Sequence, residues 1–236
     1  MIGIELFSGA GGLSLGAHSA GINVSHAVEI SKAAAKTFEL NNPSTTVINN
    51  DIRLIDPTEL LVKTRPFVVF GGPPCQGFST SNQRNRNRQN GNNWLFEEFL
   101  RFVQALKPEL VVFENVAGIT HTDGGFFRAE LETRLSSLGY HVTTVVADAS
   151  RCGVPQRRNR FFCAASKSKK LSFENLYDTD RPVTVEEAIS DLPDLVVGNN
   201  DSELTYKQDA RSEYATRMRG RLSACSGHLV TRNAPP

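Results

Sequence analysis

The run Ile2-Gly3-Ile4-Glu5-Leu6-Phe7 passes directly into Ser8-Gly9-Ala10-Gly11-Gly12 and then into the helical stretch 13–20. A short apolar run, a turn of small residues and a helical pattern together open a strand-turn-helix unit. The alternation repeats along the chain. Further strands are predicted at 24–30, 46–50, 67–70, 110–114, 141–147 and 160–165. Helices are predicted between the first six strands, at 13–20, 31–40, 56–63, 94–106 and 127–138. Strands alternating with helices indicate a parallel sheet covered on both faces. Val68-Val69 and Val111-Val112 sit in runs without polar alternation, as strands buried on both faces require. The expected fold is α/β, a doubly wound, Rossmann-like sheet. No helix is predicted between the last two strands, which leaves room for one of them to run antiparallel.

A chain of 236 residues suits one such domain with a small appendage. Its formal net charge of +1 does not announce a nucleic-acid partner, so any such contact has to come from local clustering. No apolar run approaches the ~18–20 residues of a membrane span. The first residues lack the basic start and apolar core of a signal peptide. Cys75, Cys152, Cys163 and Cys225 form no CxxC pair, and no histidine cluster has metal spacing. Neither a disulfide framework nor a metal site is expected, in keeping with a reducing cytosol.

After Lys167 the character changes. Lys167, Lys169 and Lys170 form a basic turn, and residues 178–198 are rich in Asp and Pro. One short capped helix is predicted at 184–192, where Thr184 precedes Glu186 and Glu187. From 199 to 236 apolar residues are sparse and no period emerges. The expected organisation is a catalytic domain over 1–170, followed by a linker and the start of an incomplete recognition region over 171–236.

In open α/β sheets, ligands bind outside the carboxyl ends of the strands. The unusual residues of this chain fall there. Ser8–Gly12 follows the first strand, Glu29 ends the second, and Asp51-Ile52 follows the third. Gly71-Gly72-Pro73-Pro74-Cys75-Gln76 follows the fourth, and Glu114-Asn115-Val116 ends the fifth. Each has a plain structural reading, as a tight turn, a solvated carboxylate, a turn cap, a small buried thiol or a strand-end cap. Five on one edge make a site.

Glycines allow a close backbone approach, and a helix N-terminus favours polar or anionic groups. Glu29 adds an acceptor for ribose hydroxyls. Together they indicate an adenosine-containing cofactor, either a nicotinamide dinucleotide or S-adenosylmethionine. Asp51 either accepts from an adenine amine or caps the turn that follows. Two prolines hold Cys75 rigidly past a strand end, in a polar loop where a thiol reads as a nucleophile. Glu114 follows a buried run that would raise its pKa, making it the partner acid. Residues 79–93 carry Arg84, Arg86 and Arg88 and form either a solvated loop or a lid whose arginines meet phosphates. Strand alternation would put Arg158 and Arg160 on one face, toward an anionic or carbonyl-bearing substrate.

At these residues the chain resembles the DNA (cytosine-5) methyltransferase family. Phe7-Ser8-Gly9-Ala10-Gly11-Gly12 is similar to its cofactor motif, and Pro73-Pro74-Cys75-Gln76-Gly77-Phe78-Ser79 to its nucleophile motif. Glu114-Asn115-Val116 and Gln156-Arg157-Arg158-Asn159-Arg160 resemble its base-handling motifs, in the family's order. The resemblance implies an S-adenosylmethionine-dependent methyltransferase sheet acting on double-stranded DNA. It implies that Phe7, Ser8, Gly9, Ala10, Gly11, Gly12, Leu13, Glu29, Ile30, Asp51, Ile52, Pro73 and Leu95 hold the cofactor. It implies that Cys75 adds to C6 of a flipped cytosine, that Glu114 bonds its N3 and exocyclic amine, and that Arg160 and Arg158 contact its O2 side or the flanking backbone. Gln76, Ser79, Arg84, Arg86, Arg88 and Asn115 would touch DNA. A bacterial or phage cytoplasmic enzyme of restriction-modification or epigenetic marking follows.

The resemblance ends before the family's target-recognition region and its last cofactor motif. The expectation is therefore a fragment, or a subunit completed by a second polypeptide. An RNA cytosine methyltransferase of the same family, an inactive DNA-binding remnant and a nicotinamide oxidoreductase are the competing readings. The last rests on the glycine turn and Glu29 alone.

Overall fold

A computed structural model describes residues 1–74, 95–174, 176–177, 181–195 and 202–227. The chain divides into two compact units, Met1–Ala147 with Asn159–Asn175, and Asp148–Arg158 with Leu176–Pro236. The first unit is built on seven strands: β1 (Ile2–Leu6), β2 (Asn23–Val28), β3 (Thr46–Ile48), β4 (Phe67–Gly71), β5 (Leu110–Val116), β6 (His141–Asp148) and β7 (Asn159–Ser166). They form one sheet in the order β3-β2-β1-β4-β5-β7-β6. The pairs β1–β2, β2–β3, β1–β4 and β4–β5 are parallel. β7 enters antiparallel beside β5, which is the place the missing connecting helix left open. The expected mostly parallel α/β sheet is thus the observed one.

The strands bury both faces. Ile4, Leu6, Val69, Val111 and Phe113 join one apolar cluster, while Val24, Ala27, Val68 and Phe70 join another. β4 is buried along its whole length, as the valine run predicts. β5 alternates, with Val111 and Phe113 fully buried and Val112 half-buried against the second cluster.

Among the described residues four α-helices accompany the sheet, α1 (Gly12–Ser19), α2 (Lys32–Asn41), α3 (Leu95–Leu106) and α4 (Phe126–Ser137). α3 buries Phe96, Phe99, Leu100 and Val103, the i, i+3, i+4, i+7 stripe of a core-facing helix. Each such fully buried side chain contributes about 1.5–3 kcal/mol. Segment 56–63 departs from expectation. Only Pro57–Leu60 is helical, as a 3₁₀ turn capped by Asp56, whose side chain accepts from the Thr58 amide. Leu60 is its fully buried apolar anchor.

The second unit holds α5 (Val185–Ile189) and α6 (Glu213–Arg219), with β8 (Glu203–Thr205) paired antiparallel to β9 (Ala224–Ser226). α5 has the expected capping box, formed by Thr184 and Glu187. The other three elements lie where no period was legible, because runs of three to seven residues are shorter than the windows in which periodicity shows. Among the described residues no helix is long and apolar enough to cross a membrane.

Candidate active site

β1 has parallel neighbours on both sides, and the chain winds outward from it in both directions. The carboxyl ends of β1 and β4 therefore flank a topological switch point, where an open α/β sheet leaves a crevice. The turn after β1 is shaped for that place. Phe7 adopts φ 59°, a left-handed conformation that strains a bulky residue by about 1–3 kcal/mol. The Ser8 amide donates to the Val28 carbonyl at 3.0 Å, and the Gly11 amide to the Ser8 carbonyl at 3.0 Å. Glu29, just past β2, receives the Gly9 amide at 2.8 Å and the Ser31 amide at 2.7 Å, one on each carboxylate oxygen. That carboxylate therefore organises the glycine turn as well as facing the crevice. A methyl group on Gly9 or Gly12 would meet nothing within 4 Å, and none of Ser8–Gly12 is among the residues that line the neighbouring cavity.

A cavity of about 290 Å³ lies here, lined by Phe7, Glu29, Ile30, Asp51, Ile52 and Leu95, together with Val28, Asn50, Arg53, Gly72 and Pro74. Ile30 is 66% exposed, an apolar side chain held at the rim, while Ile52 is buried. A carboxylate beside apolar walls suits a ribose diol next to a purine ring. Asp51 caps the 3₁₀ turn Ile52–Leu54, accepting from the Arg53 amide at 3.0 Å, and its oxygens also take the Arg53 guanidinium. Hydrogen bonds from the Arg53 side chain, followed by that amide, hold the Asp51 carboxyl below its usual range. Asp51 thus fills the capping role and borders the cavity at once. Val28, Asn50 and Arg53 are additions to the sequence reading, each adjoining a strand end or a residue already singled out, while Gly72 and Pro74 belong to the segment singled out after β4.

Beside this cavity lies a charged pair. β5 and β7 are in register with Glu114 opposite Phe162 and Val116 opposite Arg160. Glu114 and Arg160 are therefore diagonal neighbours on one face, within reach for long side chains. Arg160 Nε lies 2.9 Å from Glu114 Oε1, and both side chains are about four-fifths shielded from solvent. Gly72 makes room for this carboxylate, since a Cβ there would sit 2.6 Å from Glu114 Oε2. Asn115 is 3% exposed. Its amide donates to the Pro73 carbonyl at 3.1 Å while its oxygen accepts from the Val116 amide at 2.9 Å. Asn115, expected to touch DNA, is engaged instead in tying the end of β5 to the segment that leads into Cys75.

Cys75, Gln76, Ser79, Arg84, Arg86 and Arg88 lie outside the described residues. Pro73 is buried and contributes its carbonyl to Asn115 rather than a wall to the cavity. Leu13 packs against the second apolar cluster. Arg158 precedes β7, so strand alternation does not extend to it. It is exposed within the second unit, where its amide donates to Asp148 at 3.4 Å and its carbonyl accepts from the Ala149 amide at 3.0 Å. Of the two arginines only Arg160 stands on β7, beside the strand that carries Glu114. A further residue, Glu5, also escaped the sequence reading. Glu5 is 1% exposed on β1, accepts from the Ser14 hydroxyl at the start of α1 and has its pKa raised to about 7, chiefly by burial. Its signal was a charge inside an otherwise apolar strand. Among the described residues, Glu5 Oε1 and the buried Ser8 hydroxyl have no hydrogen-bond partner.

Residues 1–230 match the family described as C-5 cytosine-specific DNA methylase. The chain belongs to that family. Among curated relatives, the type II methyltransferase M.DdeI of Desulfomicrobium norvegicum is 34% identical, over 98% of this chain and 57% of its own length. The type II methyltransferase M.AgeI of Thalassovita gelatinovora is 31% identical, over 97% of this chain and 60% of its own. The chain thus spans about three-fifths of the length of these relatives. A solved structure described as a DNA modification methyltransferase encoded within an E. coli prophage superposes with a TM-score of 0.83 at 30% identity, covering 99% of this chain and 72% of that one. Membership of the methylase family removes the nicotinamide oxidoreductase reading, which never accounted for Cys75 or Glu114.

Proposed function

We propose that this chain carries the catalytic machinery of an S-adenosylmethionine-dependent DNA (cytosine-5) methyltransferase of the type II restriction-modification kind, working in a bacterial or phage cytoplasm. The observation that carries the reading is the Glu114–Arg160 pair, held at the same sheet edge as a cavity whose carboxylate and apolar walls fit an adenosine. Glu29 would take the ribose hydroxyls, Ile30 and Ile52 the purine faces, and Phe7 with the open glycine turn the remainder of the cofactor. When bound, the cofactor supplies an electrophilic methyl group.

The C5 carbon of cytosine is a poor nucleophile, so the chain must activate it. In this reading the Cys75 thiolate bonds to C6 of a flipped base, which moves electron density onto C5. Glu114 bonds N3 and the exocyclic amine and so stabilises the charge pushed into the ring. Arg160 holds Glu114 in place through its Nε while its Nη1 donates to the Asn159 carbonyl at 2.9 Å, and the remainder of its guanidinium would meet the base O2 or the backbone beside it. After the methyl group joins C5, loss of the C5 proton re-forms the ring double bond and breaks the bond to Cys75 sulfur.

The test uses duplex DNA carrying 5-fluorocytosine, in which fluorine replaces the proton that must leave. The chain is assayed alone and with a polypeptide supplying the remaining length of its relatives. Covalent trapping that depends on S-adenosylmethionine and disappears in Cys75→Ser, with cofactor binding retained, supports the assignment. Trapping that survives the substitution refutes it.

A further inference from the structure

The wall of the cofactor cavity formed by Asp51, Ile52 and Arg53 belongs to a short 3₁₀ turn. Such turns are weakly braced by their own hydrogen bonds, whose geometry is poor; here the Ile55 amide donates to the Ile52 carbonyl at 3.3 Å. α3 supplies the brace. From its second turn, Arg101 places Nη2 2.8 Å from the Ile52 carbonyl and Nη1 3.0 Å from the Ile55 carbonyl. Its Nε lies 2.7 Å from Glu98 Oε2, which fixes the plane of the fork. Two groups of one guanidinium thus tie α3 to the turn, and both elements line the cavity, α3 through its first residue Leu95. Arg101 does not itself line the cavity, so it acts through the backbone it holds.

We propose that Arg101 is the positioning residue of the cofactor cavity, clamping the Asp51–Arg53 turn onto α3 so that the two walls are preformed at the spacing an adenosine requires. This rests on the S-adenosylmethionine reading above. A planar fork is needed, because two carbonyls and a carboxylate must be met in fixed directions. Lysine keeps the charge but concentrates it at one point. It cannot hold both carbonyls, so Arg101→Lys should behave more like Arg101→Met than like the wild type.

The experiment measures S-adenosylmethionine affinity by calorimetry and amide hydrogen exchange along the chain, for the wild type, Arg101→Lys and Arg101→Met. The expected result is affinity lowered by roughly tenfold in both variants, the equivalent of one lost hydrogen bond to a charged donor. Faster exchange should be confined to residues 51–56, with α3 and β4 still protected. A role in bulk stability would raise exchange across the first unit instead, and that pattern overturns the proposal. Unchanged affinity in variants of a wild type that binds the cofactor also overturns it while leaving the functional reading intact. A wild type that binds no S-adenosylmethionine even in the presence of a polypeptide supplying the remaining length of its relatives overturns both.

Discussion

Replacing Gly72 with alanine tests how tightly Glu114 is held. The added Cβ would sit 2.6 Å from Glu114 Oε2, whereas ordinary contact begins at 3.4 Å, so the carboxylate must retreat by about 0.8 Å. It is not free to do so without cost, because its other oxygen is paired with Arg160 at 2.9 Å. The backbone has little room to yield in its place, since neighbouring Gly71 already lies against the Leu6 carbonyl, where a Cβ would come to 2.0 Å. Overpacking of this kind costs about 1–3 kcal/mol of stability, within what a domain of this size tolerates. The effect on turnover should be larger, because displacing a catalytic group by nearly 1 Å lowers rates by about 10²-fold. The assay is single-turnover methyl transfer at saturating cofactor, with thermal unfolding measured in parallel. Glu114→Asp in the Gly72→Ala background, which shortens the obstructing side chain, should recover stability but not rate. A Gly72→Ala protein that turns over like the wild type would refute the packing argument and the assignment of Glu114 to the reacting base.

Two further outcomes follow from the buried and bridging carboxylates. Glu5 has its pKa raised from 4.5 to about 7, first by burial and then by the nearby charge of Glu29, against the lowering effect of its Ser14 hydrogen bonds. A carboxyl whose pKa is higher folded than unfolded stabilises the fold below the unfolded value and loses that contribution as pH rises through the folded one. Stability should therefore fall by about 3 kcal/mol between pH 4.5 and pH 8 on this account, and urea unfolding of Glu5→Gln should lack that component; an identical pH slope in the variant would exclude Glu5 as its source. Glu29→Ala leaves the Gly9 and Ser31 amides without their acceptor, so cofactor affinity should drop by roughly 1–3 kcal/mol, and calorimetry giving equal affinities would detach Glu29 from the cavity's function.

The sequence alone determined the sheet, because burial on both faces writes itself as unbroken valine runs and helices write themselves as a 3.6-residue period. It also determined which strand ends carry unusual chemistry, since glycines, prolines and isolated acids stand out against that background. Glu29 and Asp51 were legible as cavity residues for this reason. Their second duties were not. That Glu29 also fastens the Gly9 turn, and that Asp51 also caps and pairs with Arg53, depends on distances between segments that no local pattern encodes. The tertiary structure alone decided the Glu114–Arg160 pair, because only the antiparallel entry of β7 and its register beside β5 bring residue 160 diagonal to residue 114. The same register left Arg158 off the strand and in the other unit, although alternation along the sequence had treated the two arginines alike. Asn115 turned from a surface contact into a buried tie for a similar reason: whether an amide faces solvent or a neighbouring carbonyl is settled by what packs against the strand end, here the Pro73 carbonyl. Periodicity reports which face of an element is apolar. It carries no information about which polar atom meets which across the fold, and the chemistry of this site depends on those meetings.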